Sequence, residues 1–342
     1  MDKIRSKLKR LLRTRRRKLI AGSILALVLL AIVLFFVFFN NKEEPEPTPV
    51  QKQVYRSQLT GLEVSKEDSE RPVLGVMIEN SPSARPQRGL SSAEIVFETV
   101  TEGGITRYLA LYQTAEPKKI EPVRSVRPAF ARWMNGFDAS IAHVGGSVEG
   151  LSLIKQLHSK DLDQFFHTGP YYRDSNRPAP HNMVAVVKGL RDLQKQLGYD
   201  KKSRFADIPR SDDNPAQTPK ATIVTIDFSS PDYAVQFKYD KKTNSYKRFL
   251  AGQAHKDAVT GKQISVKNLI VLKVRGSDSN SLKTIGKGTA FVFKDGKVIK
   301  AKWKQGSAYS RVEIIGPDGE EIPLNRGSTW FAGVPSSGSV SF

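Results

Sequence analysis

Twenty-one uncharged and mostly apolar residues run without interruption from Leu19 to Phe39, directly behind a tail crowded with lysine and arginine. As a helix rising ~1.5 Å per residue this run spans about 31 Å, close to the ~30 Å hydrocarbon core of a bilayer. Ten basic residues precede or flank it against one acid, Asp2. Lys/Arg excess stays on the cytoplasmic side of a spanning helix. The expected topology is therefore a cytoplasmic tail at 1–18, a single transmembrane helix at 19–39, and everything after Asn40 outside the cell membrane. A cleaved signal peptide is the competing reading, but its apolar core usually covers about 7–15 residues and ends in small side chains. Here the run ends in Phe35, Phe36, Phe38 and Phe39, which fits an uncleaved signal anchor better.

The tail carries +9 of the chain's +20 formal charge and leaves +11 for the rest. Topology already explains the tail, so nucleic acid is not an expected partner. The remaining excess suits anionic partners at a cell envelope, through long-range attraction that salt weakens. The chain has no cysteine, which removes disulfides, thiolate metal sites, a cysteine nucleophile and a lipidated anchor.

Residues 40–70 hold Glu43, Glu44, Pro45, Glu46, Pro47 and Pro49, too polar and Pro-rich to bury a core, and read as a spacer. Residues 71–200 and 220–342 read as two domains, with 201–219 as a polar linker. The fold class expected is α+β or mixed: a transmembrane helix, an α/β domain, then a β-rich C-terminal domain.

In the α/β domain, Val73–Ile78, Ala93–Val100 and Tyr108–Tyr112 read as strands. The second of these aims Glu94, Val96, Glu98 and Val100 to one face and Ile95, Phe97 and Thr99 to the other. Helical spacing marks 148–157 and 183–197. Polar residues gather where these elements end, which is where binding residues concentrate. The candidates are Glu79 and Asn80; Arg85 and Gln87; Glu102, Thr106 and Arg107 around the Gly103–Gly104 pair; Arg124 and Arg127; His143 and Ser147; and His181 with Asn182. Ser147 is also a natural helix N-cap. Guanidinium groups in such density suit a phosphate or carboxylate ligand.

Familiar catalytic templates are missing. The chain has no G-x-S-x-G elbow, Walker A loop or HExxH pair, and no metal or cofactor is expected. A Ser147/His181/Glu102 constellation and a Glu98/Glu102 carboxylate pair suited to glycan cleavage are both conceivable, but spacing alone supports neither.

In the C-terminal half, short alternating segments read as at least seven strands. Thr289–Phe293 and Lys297–Trp303 form a hairpin across Asp295–Gly296, and Ser328–Val334 is expected to close the sheet. Tyr246, Arg248, His255, Asp257, Trp303, Lys304 and Trp330 could present a binding face, although aromatics at strand spacing usually form core.

At Glu79–Asn80, Arg85–Gln87, Glu102–Arg107, Pro122–Arg127, His143–Ser147, His181–Asn182, Tyr246, Arg248, His255, Asp257, Trp303 and Trp330, the sequence resembles the YerB family of bacterial cell-surface proteins. These are usually lipoproteins with N- and C-terminal domains of unknown function. The resemblance implies a membrane-tethered, extracytoplasmic protein without an assigned reaction. A shorter likeness, over about fifty residues, runs to the LytR-CpsA-Psr wall-polymer phosphotransferases. It rests on Thr106, Arg107, Arg124, Arg127, Asp138, His143, Gly145 and Gly146. Arg107 stands where that family has a metal-binding Asp.

Binding is the leading expectation: an envelope protein that engages an anionic wall polymer, a lipid-linked precursor or an envelope protein partner. Whether there is catalysis stays open, the alternative being an enzyme acting on wall glycan or a phosphodiester.

Overall fold

A computed structural model describes residues 4–7, 14–40 and 53–342. Arg15–Asn40 is one helix. Its Arg15–Phe39 stretch is long and apolar enough to cross a membrane. Residues 1–3 and 8–13 of the basic tail and residues 41–52 of the expected spacer lie outside the described residues.

The remainder of the expected spacer is folded. Tyr55–Arg56 pairs with Glu63–Val64. A short helix, Lys66–Glu70, is capped by Ser65, whose hydroxyl accepts from Asp68 N at 3.0 Å. Leu59 is fully buried in one of the two cores. Composition dominated by the prolines of 45–49 hid this single large apolar anchor, worth about 1.5–3 kcal/mol of burial.

Ten strands form the central sheet, in the order Glu313–Ile315, Lys297–Gln305, Gly286–Lys294, Asn268–Lys273, Thr329–Val334, Ile95–Val100, Thr106–Tyr112, Leu74–Glu79, Ser140–His143 and Lys160–Asp163. The strand expected to close a separate C-terminal sheet instead lies in the middle. Thr329–Val334 runs parallel to Asn268–Lys273 on one side and to Ile95–Val100 on the other. All six of its residues are buried, as a strand covered on both faces requires. The two halves expected as separate domains therefore share one sheet, and Val54–Phe342 forms one compact unit.

Each face of this sheet carries its own core. On one face Val76, Val96, Tyr108, Val271 and Trp330 pack with Val224, Val235 and Phe237 of a second, smaller antiparallel sheet. On the other, Phe97, Leu109, Ile270 and Phe331 pack with Phe130, Trp133 and Met134. These last three lie on Pro128–Asn135, a helix that periodicity did not reveal because it is only eight residues long. Its Pro128 takes the first helical turn, where a missing N–H costs nothing. The alternation read from Ile95–Val100 holds, with Val96 and Val100 in one core and Ile95 and Phe97 in the other. The helix expected over 183–197 is a strand, Met183–Val186, followed by the helix Val187–Gln196. Apolar residues at both spacings made the two indistinguishable there.

Candidate functional site

Strand pairing sets Arg107 opposite Glu79 on one side and Thr99 on the other. Its side chain is only 6% exposed. Nη1 donates to Ser125 O at 2.7 Å, and Nε is buried without a hydrogen-bond partner. The Ser125 segment crosses the ends of the strands in extended form: Arg124 N donates to Met77 O at 2.9 Å and Val126 N to Gly145 O at 3.0 Å. Arg124 and Arg127 are thereby brought to the same end of the sheet as Arg107.

Two carboxylates partly offset these three guanidinium groups. Arg127 Nε donates to Glu102 Oε1, which also accepts from Asn280 Nδ2 at 2.7 Å. Burial alone would raise the Glu102 carboxyl, but these hydrogen bonds and the Arg127 charge overcome it and lower the pKa to about 2. Arg124 Nε lies 3.3 Å from Glu79 Oε2, an ion pair without hydrogen-bond geometry. Glu79 Oε1 accepts from Ser81 Oγ at 2.9 Å and from His181 Nδ1 at 2.8 Å. A carboxylate can only accept, so the His181 proton sits on Nδ1. Its Nε2 has no hydrogen bond to the described residues.

Around Arg107 the effects sum to a pKa lowered to about 9, from burial first, then repulsion by Arg127, with Arg124 adding and Glu102 and Glu79 opposing. It stays charged at neutral pH. Three positive charges face two negative ones at one buried-to-exposed boundary, with guanidinium donors to spare. Turn chemistry helps: Gly103 and Gly104 both take positive φ, 66° and 74°, which lets the chain double back between Glu102 and Thr106.

Four of the other candidates are used inside the protein. Asn80 Nδ2 donates to Thr106 Oγ1 at 2.7 Å, and Thr106 Oγ1 donates to Glu98 Oε1 at 3.1 Å. Arg248 Nη2 reaches both Glu98 oxygens at 2.9 Å. Arg248 Nη1 donates to His255 Nδ1, His255 Nε2 donates to Gln87 Oε1 at 2.7 Å, and Gln87 Nε2 returns to Asn80 Oδ1 at 3.0 Å. The donors and acceptors run consistently around this closed ring of six side chains. Burial, reinforced by Arg248 and Arg85, holds His255 well below the ordinary imidazole range, so it is neutral and fits its place. Arg85 binds Asn80 O and Asp232 O, at 2.9 and 2.8 Å, and ties the ring to the smaller sheet.

Glu98 and Glu102 therefore serve different partners, and the carboxylate pair considered for glycan cleavage is not assembled. Nor is the Ser147/His181/Glu102 constellation: Ser147 caps the helix Val148–Gln156 and donates to Asn280 Oδ1 at 3.2 Å, while His181 is held by Glu79. His143 stands apart from the arginines. It is fully buried, with Nδ1 on Gly145 O at 2.8 Å and Nε2 on Asp161 Oδ1 at 2.9 Å. Asn182 braces its own loop through Asp174 O, Arg177 O and Arg173. Of the face imagined on the C-terminal half, Tyr246, Arg248, His255, Asp257, Trp303 and Trp330 are buried in core, and Lys304 alone is exposed, beside Glu313.

Ser81 and Asn280 complete the arrangement and were not among the candidates; Glu98, considered as half of a carboxylate pair, and Arg248 and His255, considered for a C-terminal binding face, are instead members of the buried ring. Asn280 lies 178 residues from Glu102, too distant for any local pattern to join them. Among the described residues no cluster of three or more His, Asp or Glu could hold a metal. A cleft of about 350 Å³ beside His167, Pro170, Gly189 and Leu193 shares no residue with the arginine cluster. The cluster is the candidate the sequence pointed to, and two of its buried guanidinium nitrogens, Arg107 Nε and Arg124 Nε, lack hydrogen-bond partners, as do Arg210, Arg248 and Arg326 Nε elsewhere.

Two family models match. Residues 59–200 fit the "Protein of unknown function (DUF3048) N-terminal domain", and residues 224–331 fit the corresponding C-terminal domain. The arginine cluster lies within the first match, while the buried ring draws on both. A Bacillus subtilis (strain 168) protein named "Putative lipoprotein YerB" is 32% identical over 301 residues, covering 84% of this chain and 88% of that one. The crystal structure of YerB protein from Bacillus subtilis superposes with a TM-score of 0.75 at 29% identity, covering 84% of this chain and 99% of that one. The LytR-CpsA-Psr likeness is not shown by these comparisons.

Proposed function

Starting from a chain that belongs to the DUF3048 family of YerB-like proteins, a family of unknown function, we propose that it is a membrane-anchored envelope protein that binds an anionic group through Arg107, Arg124 and Arg127. In this reading the helix Arg15–Asn40 crosses the membrane once with the basic tail in the cytoplasm, and the folded body lies outside. The observation that carries the binding role is Arg107. A guanidinium is costly to bury unless its N–H groups are satisfied, yet this one is 6% exposed with Nε unpartnered and two like charges beside it. A phosphate-type or carboxylate ligand would supply the missing acceptors and the missing charge.

Isothermal titration of the full-length protein in detergent micelles with inorganic pyrophosphate tests this. Arg124→Ala, at a partly exposed position, should weaken binding by about 10-fold to 100-fold, from ~1.5–3 kcal/mol for a charge-assisted hydrogen bond. No detectable pyrophosphate binding by the native protein would overturn the reading. Orientation is testable independently because the chain has no cysteine: in intact cells, a Cys introduced at Ser152 should react with an impermeant maleimide, and one at Ser6 should not.

A catalytic variant draws on His181. With Nδ1 held by Glu79 at 2.8 Å, its Nε2 is free to act as a general base beside an anion on Arg124. Loss of a phosphodiester-cleaving activity in His181→Gln, with pyrophosphate binding unchanged, would favour it over binding alone.

A further inference from the structure

Next to the arginine cluster the surface turns apolar. Phe165 and Phe166 are 69% and 77% exposed, and Val148 is 81% exposed. Large apolar side chains displayed to this extent mark interaction sites. They are not on a loose loop. The buried Asp163 carboxylate accepts from Gly145 N at 2.9 Å and from Phe165 N at 3.2 Å. Asp163 O accepts from Phe166 N at 3.1 Å, and Gln164 N donates to His143 O at 2.9 Å. The Phe165 ring sits against Gly145, where an added Cβ would come within 3.0 Å of it.

That same Gly145 loop is hydrogen-bonded to the segment that carries Arg124 and Arg127. Val144 N donates to Arg124 O at 3.1 Å, Val126 N to Gly145 O at 3.0 Å, and Ser147 N to Val126 O at 3.3 Å. The segment of Arg124 and Arg127, the Gly145 loop that leads to Val148, and the turn of Phe165 and Phe166 are thus hydrogen-bonded to one another in series.

We propose that this face docks on the anionic phospholipid surface of the membrane that the chain's own helix enters. Phe165, Phe166 and Val148 insert at headgroup level, and Arg124 and Arg127 take lipid phosphates. The inference rests on the anion-binding reading for its arginines and extends it to one partner. The complementarity is double, since a lipid surface offers phosphate charge and hydrocarbon at adjacent depths, and exposed aromatic and basic side chains partition together there. Proximity also favours it. Only residues 41–53 separate the apolar helix from the folded body, so lipid is the partner covalently kept at high effective concentration.

The test uses full-length Phe166→Trp protein reconstituted in vesicles. Trp133, Trp303 and Trp330 are buried, so lipid-dependent changes report the new indole. In vesicles containing phosphatidylglycerol, its emission should move to the blue and be quenched by lipids brominated near the headgroup. In pure phosphatidylcholine, or with Arg124→Glu and Arg127→Glu added, quenching should fall several-fold. An indole that stays water-exposed in anionic vesicles overturns the proposal, as does equal quenching in both lipids, or protection by an envelope protein extract alone. Pyrophosphate titration of the same protein separates the two readings. Pyrophosphate binding with a water-exposed indole refutes docking and keeps the anion site. Insertion without pyrophosphate binding refutes the free-anion reading and keeps docking.

Discussion

Replacing Arg248 by Met should cost the folded body about 3–5 kcal/mol, the usual penalty for removing one partner of a fully buried ion pair. Arg248 and Glu98 are both completely buried, and Arg248 Nη2 donates to both Glu98 oxygens at 2.9 Å. After the substitution Glu98 keeps only Thr106 Oγ1 and Trp330 Nε1, each at 3.1 Å, and its charge is left unpaired. His255 Nδ1 loses its donor as well. The Met side chain still fills the space beneath the Trp330 ring, over which the guanidinium lies 4.7 Å from the centroid, so lost packing is a minor part of the cost. Glu98→Leu alone should cost a similar amount by stranding the guanidinium. The double variant should be less destabilised than the two singles summed, by about 2 kcal/mol or more, because neither charge is then left unpaired. Urea denaturation of full-length protein in micelles, followed by tryptophan fluorescence, measures all three. An Arg248→Met protein within about 1 kcal/mol of the native, or strict additivity in the double variant, would refute the claim that this pair bonds the two halves.

Acid should reach Glu102 late. Its pKa is lowered to about 2, so whatever stability it adds is present above the unfolded carboxyl value of ~4.3 and is lost as pH falls through about 2. The side chain is 47% exposed, so solvent screening keeps that contribution modest. Arg127→Ala should move the midpoint upward toward the ordinary range, read as a ¹³C carboxyl titration; no movement would mean that Arg127 is not what depresses it. Leu59→Ala should destabilise the body by about 2–4 kcal/mol in the same urea assay, since Leu59 is fully buried. A change below ~0.5 kcal/mol would return the segment after Gln53 to the role of spacer.

Legibility followed the range of the interactions. Alternation along Ile95–Val100 and the Asp295–Gly296 hairpin turn were readable because both are set by residues within a few positions of one another. Candidates at the strand ends met at the arginine cluster for a related reason: Glu79 and Arg107 lie opposite on paired strands, and the segment through Arg124 and Arg127 crosses beside them. His143 and Asn182 misled because a polar residue in a loop has the same appearance whether it faces a ligand or braces its own chain. Only their partners, Asp161 for one and Asp174 O with Arg177 O for the other, distinguish the cases.

By itself the sequence determined that the chain carries one helix able to enter a membrane, and that the rest mixes helices with two-faced strands. Apolar length and periodicity are properties of a segment alone, so no partner is needed to read them. Tertiary structure decided that the halves are not separate. Thr329–Val334 inserts beside Ile95–Val100, and Glu98 finds Arg248 at a separation of 150 residues. A strand's pattern says which face is buried but not which strand lies next to it. The choice of neighbour depends on packing and on satisfying buried polar groups across the whole body, and those energies exist only once the chain has come together.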